Sequence, residues 1–152
     1  MVRLPLTPES IQLDVDVPDS GTALALIARS LSRICGEADS RIESVLRRRE
    51  SQGSTGLGYG VAIPHARLDG VSESVIAVLR SKSPVPFGAP DGTGVRLFIG
   101  VLVPASAMTD HLEILSAVAA RLSDDKAREA LFSVPDPQTF IRILTLNQPN
   151  PD

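Results

Sequence analysis

Tryptophan is absent from this 152-residue sequence, tyrosine occurs once, and aromatic residues make up 3% of it. That is too few for a base-stacking platform on single-stranded nucleic acid. A cationic surplus is missing too: 15 Lys and Arg against 18 Asp and Glu give a formal net charge of -3. Binding a phosphate backbone needs clustered excess positive charge, so nucleic acid is not an expected partner. The one basic run, Arg47-Arg48-Arg49, is short, and Arg47 and Arg48 read as a solvated helix end. A single cysteine, Cys35, excludes an internal disulfide. It reads as a small core hydrophobe. With two histidines and one distant cysteine there is no ligand cluster, so no metal is expected. No apolar run is long enough to cross a bilayer, and Met1-Val2-Arg3-Leu4-Pro5 has no signal-peptide core. A cytoplasmic chain without membrane insertion is the expectation.

The chain is 43% hydrophobic and 22% charged, which suits one globular domain with one core. The domain is expected over residues 7–146, with flexible ends at 1–6 and 147–152. Ile11 to Val17 alternates apolar and polar residues, as a half-buried strand does. After a turn over Pro18 to Thr22, Leu24, Ile27, Ala28, Leu31 and Ile34 follow helical spacing, with Gly36 placed as a C-cap. A second helix opens with Ser40 and Glu43 at capping-box spacing and buries Ile42, Val45 and Leu46. Val61 to Ile63, Ser74 to Leu79 and Arg96 to Val103 read as strands, the last two apolar enough to be covered on both faces. A short edge strand is expected near Val85 to Phe87. Three helices follow. The first runs from about Asp110, with Glu113 completing a capping box; the second starts after Ser123; the third is capped by Asp136 ahead of Pro137. Strands mixed with helices in this way give an α/β class, a sheet sandwiched between helices in a single domain.

The chemistry concentrates at His65 and His111. His65 leaves a strand in Ile63-Pro64-His65, and His111 stands in the first turn of a helix, in phase with Leu115. A lone histidine after a strand is more often structural than functional. Here its neighbourhood supplies what a phosphoryl-accepting imidazole needs, namely a neutral ring with one nitrogen held and one free, and partners for the added charge. Ser54 and Thr55 offer hydroxyls, Gly53 and Gly56 offer accessible backbone amides, and Arg49 offers a guanidinium. Arg49 falls in phase with the buried stripe of its helix. It either snorkels to water or points at a site. The glycine run is not a phosphate-binding P-loop, since no Gly-Lys-Ser/Thr follows. Nor is it a dinucleotide fingerprint or a nucleophile elbow.

The continuous string from Arg49 to His65, Arg-Glu-Ser-Gln-Gly-Ser-Thr-Gly-Leu-Gly-Tyr-Gly-Val-Ala-Ile-Pro-His, closely resembles the signature of fructose/mannitol-type (type-2) enzyme IIA domains of the bacterial phosphotransferase system. The stand-alone nitrogen-regulatory members resemble it most. The likeness extends over roughly Ile11 to Leu144. It implies a mixed sheet with helices on both sides. It also implies that His65 accepts a phosphoryl group from an HPr-like phosphocarrier, that His111 orients it or stabilises the phosphoryl group, and that Arg49 stabilises charge. Ser54, Thr55, Gly53 and Gly56 would line the phosphate, and no cofactor is implied.

A docking patch around His65 is expected from Leu57, Tyr59, Ile63, Arg67 and Leu68. Tyr59 replaces a small polar residue common in the family, which bears on partner choice, and Ala66-Arg67 replaces Gly-Lys, with Arg67 keeping the positive charge. Two roles follow from the resemblance. In one, the chain is a regulator whose phosphorylation state alters its binding to target proteins, favoured by the absence of a fused IIB or IIC segment. In the other, it passes phosphate to a permease IIB domain during sugar uptake. A binding module without phosphorylation fits poorly with both histidines present.

Overall fold

Strand β6 (Val95–Pro104) is the middle of the molecule, and from Leu97 onward its apolar side chains alternate between two cores. Phe98 and Leu102 point to one face, and Leu97, Ile99, Val101 and Val103 to the other. This is the period-two alternation of a strand buried on both sides. The computed structural model describes residues 4–107 and 109–146, with Asp110 described through its backbone alone.

In chain order the elements are β1 (Ile11–Val15), α1 (Ser20–Cys35), α2 (Asp39–Ser51), β2 (Gly56–Gly58), β3 (Val61–Ala62), β4 (His65–Leu68), β5 (Val75–Val85), β6, α3 (Thr109–Ser123), α4 (Asp125–Ser133) and α5 (Pro137–Leu144). The sheet runs β1-β5-β6-β3-β2, with β4 also on β6. It is mixed: β5 pairs β6 antiparallel, whereas β1 on β5 and both β3 and β4 on β6 are parallel. Helices α1 and α2 supply Leu24, Ile27, Leu31, Ile42 and Leu46 to one face. Helices α3 to α5 supply Ile114, Val118, Leu122, Leu131, Phe140 and Leu144 to the other. The expected α/β sandwich is therefore the architecture.

Several boundaries differ from the sequence expectations, each for a local reason. β1 stops at Val15 rather than Val17. Asp14 takes a left-handed φ of 57° at an irregularity between Gln12 and Val15, and its carboxylate receives Arg80 at 3.0 Å. Arg80 is 2% exposed and also donates to the Leu131 carbonyl, so an inward cation in β5 is fully partnered. α1 begins at Ser20, because Asp19 caps it through the Thr22 amide at 2.7 Å; Gly36 closes it with φ 82°. α2 begins at Asp39 with Ala38 at the cap, so the Ser40–Glu43 capping box does not form. Glu43 instead accepts from Arg47 at 2.7 Å. No separate strand occupies Val85 to Phe87: Val85 is the end of β5, paired with Val95. α3 begins at Thr109, and the capping expected of Asp110 lies outside the described residues. So does the tail at 147–152. The segment from Leu4 is not loose: Leu4 is 4% exposed and joins the core beneath α3 to α5. Asp124 and Asp136 cap α4 and α5 through the amides of Ala127 and Thr139.

β3 and β4 lie on the same edge of β6 in one register, Val61 opposite Leu97 and His65 opposite Val101. Between them the strand pairing is interrupted at Ile63 and Pro64, although the Pro64 carbonyl still accepts the Val101 amide of β6 at 2.9 Å. Proline has no N–H to give to β6, and the Ile63 amide donates to the Thr55 carbonyl at 3.1 Å, beside the β2–β3 pair. This interruption sets up the site.

Gly100 in β6 marks a close approach of the sheet to α1. A Cβ there would collide with Cγ2 of Ile27, a branched side chain 1% exposed in α1. Gly100→Ala is expected to cost roughly 1–3 kcal/mol in urea unfolding at an unchanged slope. Equal midpoints for variant and wild type would contradict this packing.

Candidate functional site

The last turns of α2 place Val45, Arg48, Arg49 and Gln52 on one helical face. Opposite them stand His65, Ala66 and Arg67 at the start of β4 and His111 in the first turn of α3. Together these residues line an open hollow of about 270 Å³. The two imidazoles are neighbours, with ring centroids 5.3 Å apart and planes inclined at 55°.

His65 is fixed by its own backbone neighbour. Its Nδ1 lies 2.7 Å from the Ile63 carbonyl oxygen. A carbonyl only accepts, so Nδ1 carries the proton, and in the neutral ring Nε2 holds the lone pair. Burial pushes the His65 pKa below its ordinary value, as does the Arg49 guanidinium; the Ile63 hydrogen bond and Glu50 act the other way. His111 is lowered as well, first by burial and then by His65, Arg67 and Arg49. The Nδ1 of His111 is buried without a hydrogen-bond partner among the described residues. Arg48, Arg49 and Arg67 form no ion pair among the described residues. The hollow thus joins a neutral nucleophilic nitrogen to uncompensated positive charge, an arrangement suited to an electrophile carrying negative charge. No group of three or more His, Cys, Asp or Glu among the described residues could hold a metal ion. No helix among them is long and apolar enough to cross a membrane.

The structure brings His65, His111, Arg49 and Arg67 together, but it places the other sequence candidates elsewhere. Thr55 is 6% exposed, and both its amide and its hydroxyl donate to the Glu50 carboxylate, at 2.8 and 2.7 Å. The Ser54 hydroxyl donates to the Phe87 carbonyl and accepts from the Gly56 amide. The Gly53 carbonyl accepts from Arg49 at 2.8 Å. Gly53, Ser54, Thr55 and Gly56 therefore brace the loop behind His65 and do not line the hollow.

The expected docking patch also divides. Ile63 and Leu68 are buried, at 4% and 7% exposure, because they face the two cores. Leu57 and Tyr59 are exposed, but they border a second hollow with Ala119, Leu122 and Arg128. Tyr59 and Gly60 form the left-handed turn joining β2 to β3, with φ 57° and 80°. Asp91 accepts the Tyr59 amide at 2.9 Å, and the Arg128 guanidinium lies 4.5 Å from the Tyr59 ring. Tyr59 is thus engaged away from the histidines.

Sequence reasoning missed Arg48, Gln52 and Glu50. The first two follow Val45 at spacings of three and seven, a signal that was available. The role of Glu50 depends on the fold of the loop.

Because both histidine pKa values are lowered, the folded protein binds fewer protons than the unfolded chain just below pH 6.5. Their contribution to stability is complete above pH 6.5 and is lost as pH falls through the lowered values. Side-chain NMR titration is expected to give midpoints below 6.5 for both rings; a His65 midpoint above it would contradict the site as described.

Known proteins share this architecture and sequence. A family model described as phosphoenolpyruvate-dependent sugar phosphotransferase system, EIIA 2, matches residues 5–147. A nitrogen regulatory protein from Pseudomonas aeruginosa is 39% identical over 147 residues, covering 95% of this chain and 96% of its own. The fructose-specific EIIA component from Haloferax volcanii is 37% identical over 108 residues, 71% of this chain and 70% of its own. The crystal structure of nitrogen regulatory protein IIA-Ntr from Neisseria meningitidis superposes with a TM-score of 0.88 at 38% identity, over 91% of this chain and 95% of that one. The chain belongs to the EIIA type-2 family of the phosphotransferase system.

Proposed function

We infer that the protein is a phosphohistidine carrier that takes a phosphoryl group on Nε2 of His65 from an HPr-like protein and releases it to a second protein. The observation that carries this reading is the Ile63 carbonyl at 2.7 Å from His65 Nδ1. It leaves Nε2 as the attacking atom in a hollow lined by His111, Arg48, Arg49 and Arg67. In transfer, the Nε2 lone pair attacks phosphorus in line as the donor P–N bond breaks. The electron pair returns to the donor imidazole, and His65 keeps its Nδ1 proton. The arginines and a His111 N–H stabilise the equatorial oxygens, so catalysis is by positioning and electrostatics.

The role in nitrogen regulation is supported by near full-length likeness to nitrogen regulatory proteins at 39% and 38% identity. Phosphate on His65 then alters an interface with target proteins through charge and desolvation. The fructose-specific relative, matched over 71% of this chain, supports a second reading in which a IIB domain receives the group for sugar uptake.

Incubation with a phosphorylated HPr-type carrier is expected to give acid-labile label on the wild type and none on His65→Ala. His111→Ala is expected to slow labelling roughly 10²-fold. Label retained by His65→Ala, or no label on the wild type, would overturn the carrier role.

A further inference from the structure

Four hydrogen bonds join the end of α2 to the His65 ring through a route that avoids the hollow. The Glu50 carboxylate accepts the amide and the hydroxyl of Thr55, at 2.8 and 2.7 Å. The Thr55 carbonyl accepts the Ile63 amide at 3.1 Å. The Ile63 carbonyl accepts the His65 Nδ1 proton at 2.7 Å. Ile63 has left the β6 ladder, so these contacts set the direction of its peptide groups. Thr55 is 6% exposed, which shelters the carboxylate bond from competition by water. Arg49 reinforces the same loop by donating to Gly53, and Ser54 ties its far side to Phe87.

We propose that Glu50 is a positioning residue for His65, acting through Thr55 and Ile63 to hold the Nδ1–H tautomer and so keep Nε2 unprotonated and aimed into the hollow. This rests on the reading of His65 as the phosphoryl acceptor. Glu50 touches neither the hollow nor the phosphoryl group. Its carboxylate also opposes Arg49 in setting the charge felt by His65. The other charged or titratable groups around the ring are Arg48 on α2, Arg67 on β4 and His111 on α3. A histidine freed from the Ile63 carbonyl would populate the Nε2–H tautomer, in which the attacking nitrogen carries a proton and is inactive.

Glu50→Gln isolates charge from shape. The amide oxygen can accept the Thr55 N–H while the amide nitrogen donates to the Thr55 hydroxyl. Glu50→Ala removes both bonds. Side-chain 15N NMR of the unphosphorylated protein reads the His65 tautomer directly, and labelling from a phosphorylated HPr-type carrier reads transfer. Wild type and Glu50→Gln are expected to show the Nδ1–H form. Glu50→Gln is expected to titrate His65 at lower pH than wild type, because the carboxylate that favours the charged ring is gone. Glu50→Ala is expected to show a mixed tautomer and a turnover rate lower by roughly 10- to 100-fold, at a nearly unchanged KM for the carrier. Thr55→Val, which keeps the amide bond and loses the hydroxyl, is expected to move both readouts the same way by less. It carries the test alone if Glu50→Ala does not fold. An Nδ1–H tautomer unchanged in every folded variant would overturn the proposal. So would loss of transfer in Glu50→Ala through KM alone. Because the tautomer is read without phosphate, failure of the wild type to accept label would sink the carrier reading and leave the Glu50 relay still tested.

Discussion

The contact between the Ile63 carbonyl and His65 Nδ1, at 2.7 Å, is the constraint on which the rest of the site depends. A carbonyl that belonged to the sheet ladder would be committed to β6. β6 engages the neighbouring Pro64 carbonyl instead, through the Val101 amide at 2.9 Å, and the Ile63 amide donates to Thr55, which leaves the Ile63 carbonyl to the His65 ring. The break in the edge strand is therefore part of how the ring is held. The long buried pairing of β5 with β6 keeps that edge rigid, and the two cores on either side leave the break little room to shift.

Electrostatics complete the arrangement. Burial and the nearby Arg49 make the charged imidazole unfavourable, so His65 stays neutral where an ordinary histidine would begin to protonate. The same cations that disfavour imidazolium suit an arriving dianion, so one set of charges serves both the free and the proposed phosphorylated state. His111 lies in the first turn of α3, where the helix end favours negative charge. At the opposite wall the C-terminal turn of α2 presents carbonyls, which by themselves would repel an anion. Arg48 and Arg49 on that turn offset it.

Much of this was legible in the sequence. The α1 stripe from Leu24 to Leu31, the caps at Gly36 and Asp136, and the doubly buried β5 and β6 follow from periodicity and local chemistry, because each signal lies within one element; Ile34, expected to continue the stripe, is exposed near the helix end. The pair His65 and His111 was visible from motif and position. Less accessible were features set by contacts distant in sequence. Ser54 and Thr55 look like phosphate ligands until their hydroxyls are seen to be taken by Phe87 and Glu50. Ile63 and Leu68 look like surface apolars until strand alternation turns them inward. Tyr59 appears to border the histidines in sequence, but a left-handed turn carries it to Arg128 and a different hollow. The burial of Arg80 has no local signal in the sequence, because it depends on the irregularity in β1 that presents Asp14.

On the proposed mechanism the backbone selects the reacting nitrogen of His65. This selection is tested most directly by long-range 1H–15N NMR of the protein phosphorylated by a HPr-type carrier. The expected result is phosphorus bonded to Nε2 of His65, with the Nδ1 proton still present and donated to Ile63. Phosphorus on Nδ1 of His65, or on His111, would contradict it.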